Sequence, residues 1–238
     1  MVGGGGLIQL PALLILLPGA SIPSVMGTNK LSSVFGTSAA AVTYARKVKV
    51  ERGLTGLAAG LAFVFSMLGA RAVTLVNPNA FKPVVFVMLI AMAVFTFAHK
   101  EFGTMSHDRF AGPIRLIRGG WIGAVVGFYD GFVGPGTGSI LIFLFIGAIG
   151  MDFLSASASA KIVNVATNLA AIIFFAATGH ILYRFAVPMA ACNIVGGIAG
   201  ANLAIQRGNR FVRGFFIVII LAMIVRYGWE ILPAVLHQ

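Results

Sequence analysis

Residues 3–50 align on residues 134–181 without a gap, at a constant offset of 131, with identity at 12 of 48 positions. The pairs include Gly3 with Gly134, Gly5 with Gly136, Gly19 with Gly150, Ser24 with Ser155 and Lys30 with Lys161; further on, Gly69-Ala70 matches Gly200-Ala201. Leucine and alanine identities recur in any apolar chain, so the paired glycines and lysines carry the argument. A chain duplicated in this way folds as two similar halves, repeat one over residues 1–110 and repeat two over residues 111–238.

The side chains say which medium these halves occupy. Apolar residues make up 59% of the chain and charged ones 10%, with a mean hydropathy of +0.98, whereas soluble domains are about a quarter charged. This excludes a soluble globular domain and points to an all-α polytopic membrane protein, because a helix satisfies its own backbone hydrogen bonds in hydrocarbon. Nine apolar segments are read at about residues 5–17, 31–45, 53–76, 83–98, 119–133, 139–150, 161–178, 184–205 and 211–229. A crossing needs roughly 17–25 residues, so the short first and sixth segments are expected to be interrupted or re-entrant helices. Gly56 with Gly60, and Gly196 with Gly200, have the small-xxx-small spacing of close helix crossings.

Basic residues orient the chain. Arg46, Lys47, Lys49 and Arg52 fall in one loop, Lys100, Arg109, Arg115 and Arg118 in another, and Arg207, Arg210 and Arg213 in a third; together these are 11 of the 17 Lys and Arg. Positive loops stay cytoplasmic, which makes the two repeats inverted in a multi-pass membrane protein. The net charge of +11 then faces anionic membrane lipid, and no nucleic-acid partner is expected. At the constant offset the counterpart of Asp130 falls before Met1, so the first helix of repeat one is expected to be missing.

Inside a membrane each ionisable group is a functional candidate. Asp130, just before Gly134-Pro135-Gly136-Thr137-Gly138, is the candidate coupling acid, with Lys161 or Lys30 as its partner. The glycines of this motif and Gly3, Gly4, Gly5 and Gly6 at the matching place let backbone N–H groups approach an anion at two helix starts. Lys30 after Thr28-Asn29, and Lys161 with Asn164, Thr167 and Asn168, add a point charge and hydrogen-bonding groups to each half. The alternatives are tight turns for the glycines and snorkelling for the lysines. His99, His107, His180 and His237 have no metal-ligand spacing, and no catalytic triad or Walker loop is present, so neither metal, cofactor nor enzyme chemistry is expected. The lone Cys192 excludes an internal disulfide.

The stretches GGGGLIQLPALL and GTNKLSS, and GFYDGFVGPGTGSIL and ASAKIVNVATN, resemble the two signature regions of the TauE/SafE sulfite-exporter family of membrane transporters. The resemblance implies an inner-membrane carrier of sulfite, organosulfur anions or related small carboxylates. With the inverted halves it implies alternating access about a midplane site made of broken helices. A passive anion channel and a transport-deficient scaffold subunit remain open, as does a homo-oligomer.

Overall fold

The structure is a computed structural model, and it describes residues 5–77, parts of 81–91, and 112–236. Those residues form helices α1 (Gly5–Leu16), α2 (Ile22–Ala45), α3 (Arg52–Val73), α4 (Pro113–Phe132), α5 (Thr137–Leu144), α6 (Phe153–Ala177) and α7 (Tyr183–Leu236), with no strand among them. A π-helical turn, Phe145–Ile149, prolongs α5. Arg52–Val73, Phe153–Ala177 and Tyr183–Leu203 are long and apolar enough to cross a membrane.

Helix starts repeat with the sequence. The offset of 131 carries Ile22 onto Phe153 and Arg52 onto Tyr183. Both N-caps coincide as well: the Ser21 hydroxyl accepts from the Ser24 N–H at 3.3 Å, and the Asp152 carboxylate accepts from the Leu154 and Ser155 N–H groups at 2.9 and 3.0 Å. These caps start α2 and α6 well before the segments expected at 31 and 161. The runs Ser24–Lys30 and Ser155–Ala160 are helical despite their polarity, because cap chemistry rather than hydropathy sets a helix start. The segments expected at 184–205 and 211–229 join in one helical run, α7.

The glycine motif of repeat two breaks a helix. Helix α4 ends at Phe132, Gly134 and Gly136 take φ of 87° and 79°, and α5 leaves from Thr137. At about 1.5 Å per residue, the 12 residues of α1 and the apolar stretch Thr137–Ile149 fall short of a hydrocarbon layer about 30 Å thick.

Between membrane helices there is little hydrophobic driving force, so close packing of small residues holds them together. Helices α3 and α4 run in the same direction with Gly119, Gly123, Gly127 and Gly131 set against Leu54, Ala58, Ala62 and Ser66. A Cβ on Gly123 would overlap the Ala58 carbonyl oxygen. Gly56, Gly60 and Gly196, expected at such crossings, have nothing within 4 Å of their Cβ positions among the described residues, whereas Gly36 and Gly197 meet backbone to backbone between α2 and α7. Helices α2 and α6 run antiparallel: Gly27 lies against Phe175 at one end, and Tyr44 packs with Ala158 at the other. At that second end an ion pair of 2.9 Å joins Glu51 to Arg115, and Lys47 donates to Asn202 at 3.1 Å.

Candidate functional site

Asp130 sits on the last turn of α4 because the helix must stop at the glycines that follow, and the break turns its carboxylate toward α2. Its Oδ2 lies 2.6 Å from Lys30 Nζ, with both side chains almost fully buried. Its Oδ1 accepts from the Thr137 hydroxyl at 2.5 Å, which also reaches the Gly134 carbonyl at 2.7 Å. Tyr129 donates its hydroxyl proton to the Pro135 carbonyl. One acid therefore ties together the end of α4, the glycine turn, the start of α5 and the middle of α2.

Gly134 is required there twice over. Its φ of 87° disfavours any side chain, and a Cβ would come 3.2 Å from Lys30 Nζ. Gly6, at the start of α1, faces the same turn, its Cβ position 3.6 Å from the Gly134 carbonyl oxygen. The two glycine motifs thus meet, and each marks the start of a short helix, where the dipole is positive.

A cavity of about 200 Å³ lies beside this junction, the liquid volume of roughly six or seven waters. Lys30, Lys161, Asn29, Asn164, Asn168, Asp130, Gly6 and Gly134 line it, so eight of the residues singled out in the sequence share one space. Lys161 is 6% exposed and has neither carboxylate nor hydrogen-bond partner among the described residues. Asn168 donates to the Asn164 side chain at 2.8 Å, and Asn29 Oδ1 is buried without a partner.

Other expected residues lie elsewhere. Thr28 donates to the Ser24 carbonyl at 2.6 Å and accepts from the Leu182 N–H at 2.9 Å, which fixes the start of α7. Thr167 donates to the Asn164 carbonyl at 2.9 Å. Gly136 and Gly138 do not line the cavity, and Thr137 acts through Asp130. Gly3 and Gly4 lie outside the described residues, as do Lys100 and Arg109.

Sequence reasoning missed Gln9 and Asn193, which complete the wall. Gln9 donates to the Asn193 side chain at 2.6 Å and accepts from Ser33 at 3.0 Å, while Asn193 donates to the Ser32 carbonyl at 3.1 Å. A single amide inside an apolar helix was the available signal for each.

Two buried lysines and one carboxylate around a polar cavity, set among membrane-length helices, define an integral membrane protein of the transport class. The chain matches the family described as sulfite exporter TauE/SafE over residues 1–227. It belongs to that family and is a membrane transporter. It is 30% identical to "Probable membrane transporter protein ORF9" of a Sinorhizobium species over 232 residues, 95% of this chain and 85% of that protein. It is 28% identical to "Probable membrane transporter protein YfcA" of Escherichia coli K12 over 239 residues, 98% and 87% of the two chains. A "Probable membrane transporter protein" of Haemophilus influenzae is 30% identical over 230 residues, 97% and 89%. No solved structure matches.

Proposed function

We propose that this chain is a secondary transporter of small anions, sulfite or organosulfur compounds among them, that works by alternating access between two inverted halves of a multi-pass inner-membrane protein. The observation that carries this reading is the cavity lined by both Lys30 and Lys161, in which, among the described residues, Asp130 is the one carboxylate and pairs with Lys30. Charged groups this deep in a membrane protein are costly, and two cations against one acid leave the space positive. A pyramidal or tetrahedral oxyanion fits Lys161 as a point charge, with Asn164, Asn168 and Asn29 as hydrogen-bonding neighbours.

The repeated helix starts and caps, and the antiparallel α2 and α6, support inverted halves. The end that gathers Arg46, Lys47, Lys49 and Arg115 is cytoplasmic under the positive-inside rule. Asp130 is the coupling residue: protonation would release Lys30 to the anion and join substrate to proton movement. Flux of radiolabelled sulfite, taurine and acetate into proteoliposomes tests the reading, with and without a pH gradient. Saturable, gradient-responsive sulfite or sulfonate flux is expected; flux that rises linearly with concentration would instead mark a channel.

A further inference from the structure

The α2 residues that line the central cavity recur every three or four positions, Lys30, Ser33, Thr37 and Ala40. Next in that series is Tyr44, 1% exposed and packed with Ala40, Ala158 and Ala201. On α6 the lining runs back from Asn168 through Asn164 to Lys161, and Ala158 lies one turn further on.

Past Tyr44 the protein opens again. A second cavity of about 750 Å³ is lined by Arg46, Lys47, Lys49 and Arg52, and by Thr55 and Ile162. Glu51, the acid of this loop, is paired with Arg115 at 2.9 Å, and among the described residues no ion pair involves Arg46, Lys47, Lys49 or Arg52. Thr55 donates to Ser159 at 3.0 Å, and Ile162 follows Lys161, so the vestibule borders the stretch of α6 that carries the central lysine.

The opposite end of the α2–α6 pair is built from equivalent residues but closed differently. The offset of 131 carries Tyr44 onto Phe175 and Gly27 onto Ala158. Each aromatic packs on the small residue of the other helix, and a Cβ on Gly27 would stand 2.8 Å from Phe175 Cβ. Among the described residues Phe175 belongs to a cluster of fifteen buried side chains, whereas Tyr44 belongs to one of four.

We propose that Tyr44 is the gate between the central cavity and an outer anion site formed by Arg46, Lys47, Lys49 and Arg52. A small anion is held by the four cations, passes when the tyrosine ring leaves its contact with Ala158, and then meets Lys161. The gate deepens the anion-transport reading above and rests on it. Opening at this end parts Tyr44 from Ala40, Ala158 and Ala201, and side-chain and loop motions of this kind gate access to a site.

Cysteine labelling reads the gate without any flux, so loss of transport and loss of gating are separable. In a Cys192→Ser background, Thr37→Cys places a thiol in the central cavity. Membrane-impermeant methanethiosulfonates, one bearing a sulfonate and one an ammonium, are applied to the face carrying Arg46 in phosphatidylcholine vesicles. Tyr44→Ala should speed labelling about tenfold or more, because removing a buried aromatic shifts a closed–open equilibrium at least that far. Tyr44→Leu, which keeps an apolar side chain in the cluster and so protects folding, should speed it less, and Phe175→Ala should leave that face unchanged. Lys47→Gln with Lys49→Gln should erase the preference for the sulfonate reagent. Parental labelling rates in folded Tyr44→Ala and Tyr44→Leu proteins would overturn the gate. A sulfonate preference that vanishes in phosphatidylglycerol vesicles would assign the vestibule to lipid phosphate and overturn the outer site.

Discussion

Asp130 pairs with Lys30 at 2.6 Å, and among the described residues Lys161, which stands 131 positions after Lys30, has no carboxylate partner in the same cavity. Lys30 and Lys161 stand at the same offset of 131 as the paired glycines, whereas the acid comes from the helix break after Phe132. The two equivalent positions are therefore unequal in charge balance: Lys30 is ion-paired, and Lys161, among the described residues, is not.

That inequality sets the expected behaviour of Lys161→Met. A charge-assisted hydrogen bond is worth about 1.5–3 kcal/mol, so sulfite binding should weaken roughly tenfold to a hundredfold or more. Thermal stability in detergent should hold or rise, since an unpaired buried charge is removed. Isothermal titration and thermal unfolding of the same sample check both halves; unaltered binding would remove Lys161 from the site.

Asp130→Asn should behave differently, because it strands Lys30. Breaking one side of a buried ion pair costs about 3–5 kcal/mol, so this variant should lose stability as well as transport. Lys30→Met combined with Asp130→Leu should recover much of the stability and none of the transport. Unfolding midpoints of the single and double variants form the test, and additive losses would mean that the two residues do not act as a pair.

The broken helix and the membrane-borne, all-helical character were legible in the sequence because glycines and hydropathy state them locally. Helix starts were less so: a hydropathy reading begins α2 near Leu31 and α6 near Lys161, yet Ser21 and Asp152 cap them at Ile22 and Phe153. The identity of Asp130's partner was open between Lys30 and Lys161, since both are distant in sequence and only the crossing of α2 past the glycine turn decides it. Gln9 and Asn193 were hidden for a related reason. One amide in an apolar run changes its hydropathy little, and its role depends on the helix opposite.

Asp152 predicts an acid sensitivity outside the spans. Burial alone would raise its carboxyl, but bonds from Ser155 and from the Leu154 N–H outweigh it and hold the group below the ordinary carboxylate range. A depressed folded value means the stabilisation is complete above the unfolded pKa of about 3.9 and is lost as the pH falls through the lower folded value. Asp152→Asn keeps an N-cap oxygen without a titrating charge, so its unfolding midpoint should fall less steeply than the parent's below about pH 4. Parallel acid profiles for the two proteins would show that the cap does not titrate.

The crossing of α3 and α4 makes a prediction in which the sign itself is informative. Gly123 and Gly56 are both helical glycines, and both stand four residues from another glycine. In the structure a methyl at position 123 would overlap the Ala58 carbonyl oxygen, while one at position 56 meets nothing within 4 Å. Gly123→Ala must push apart two backbones held by a ladder of four glycines, at a cost of about 1–3 kcal/mol of the kind overpacking produces. Gly56→Ala adds no clash and gains helix propensity of up to about 1 kcal/mol. Thermal unfolding in detergent should therefore move down for Gly123→Ala and stay level or move up for Gly56→Ala. The reverse order would place α4 on a different face of α3, and Asp130, carried at the far end of α4, would no longer reach Lys30.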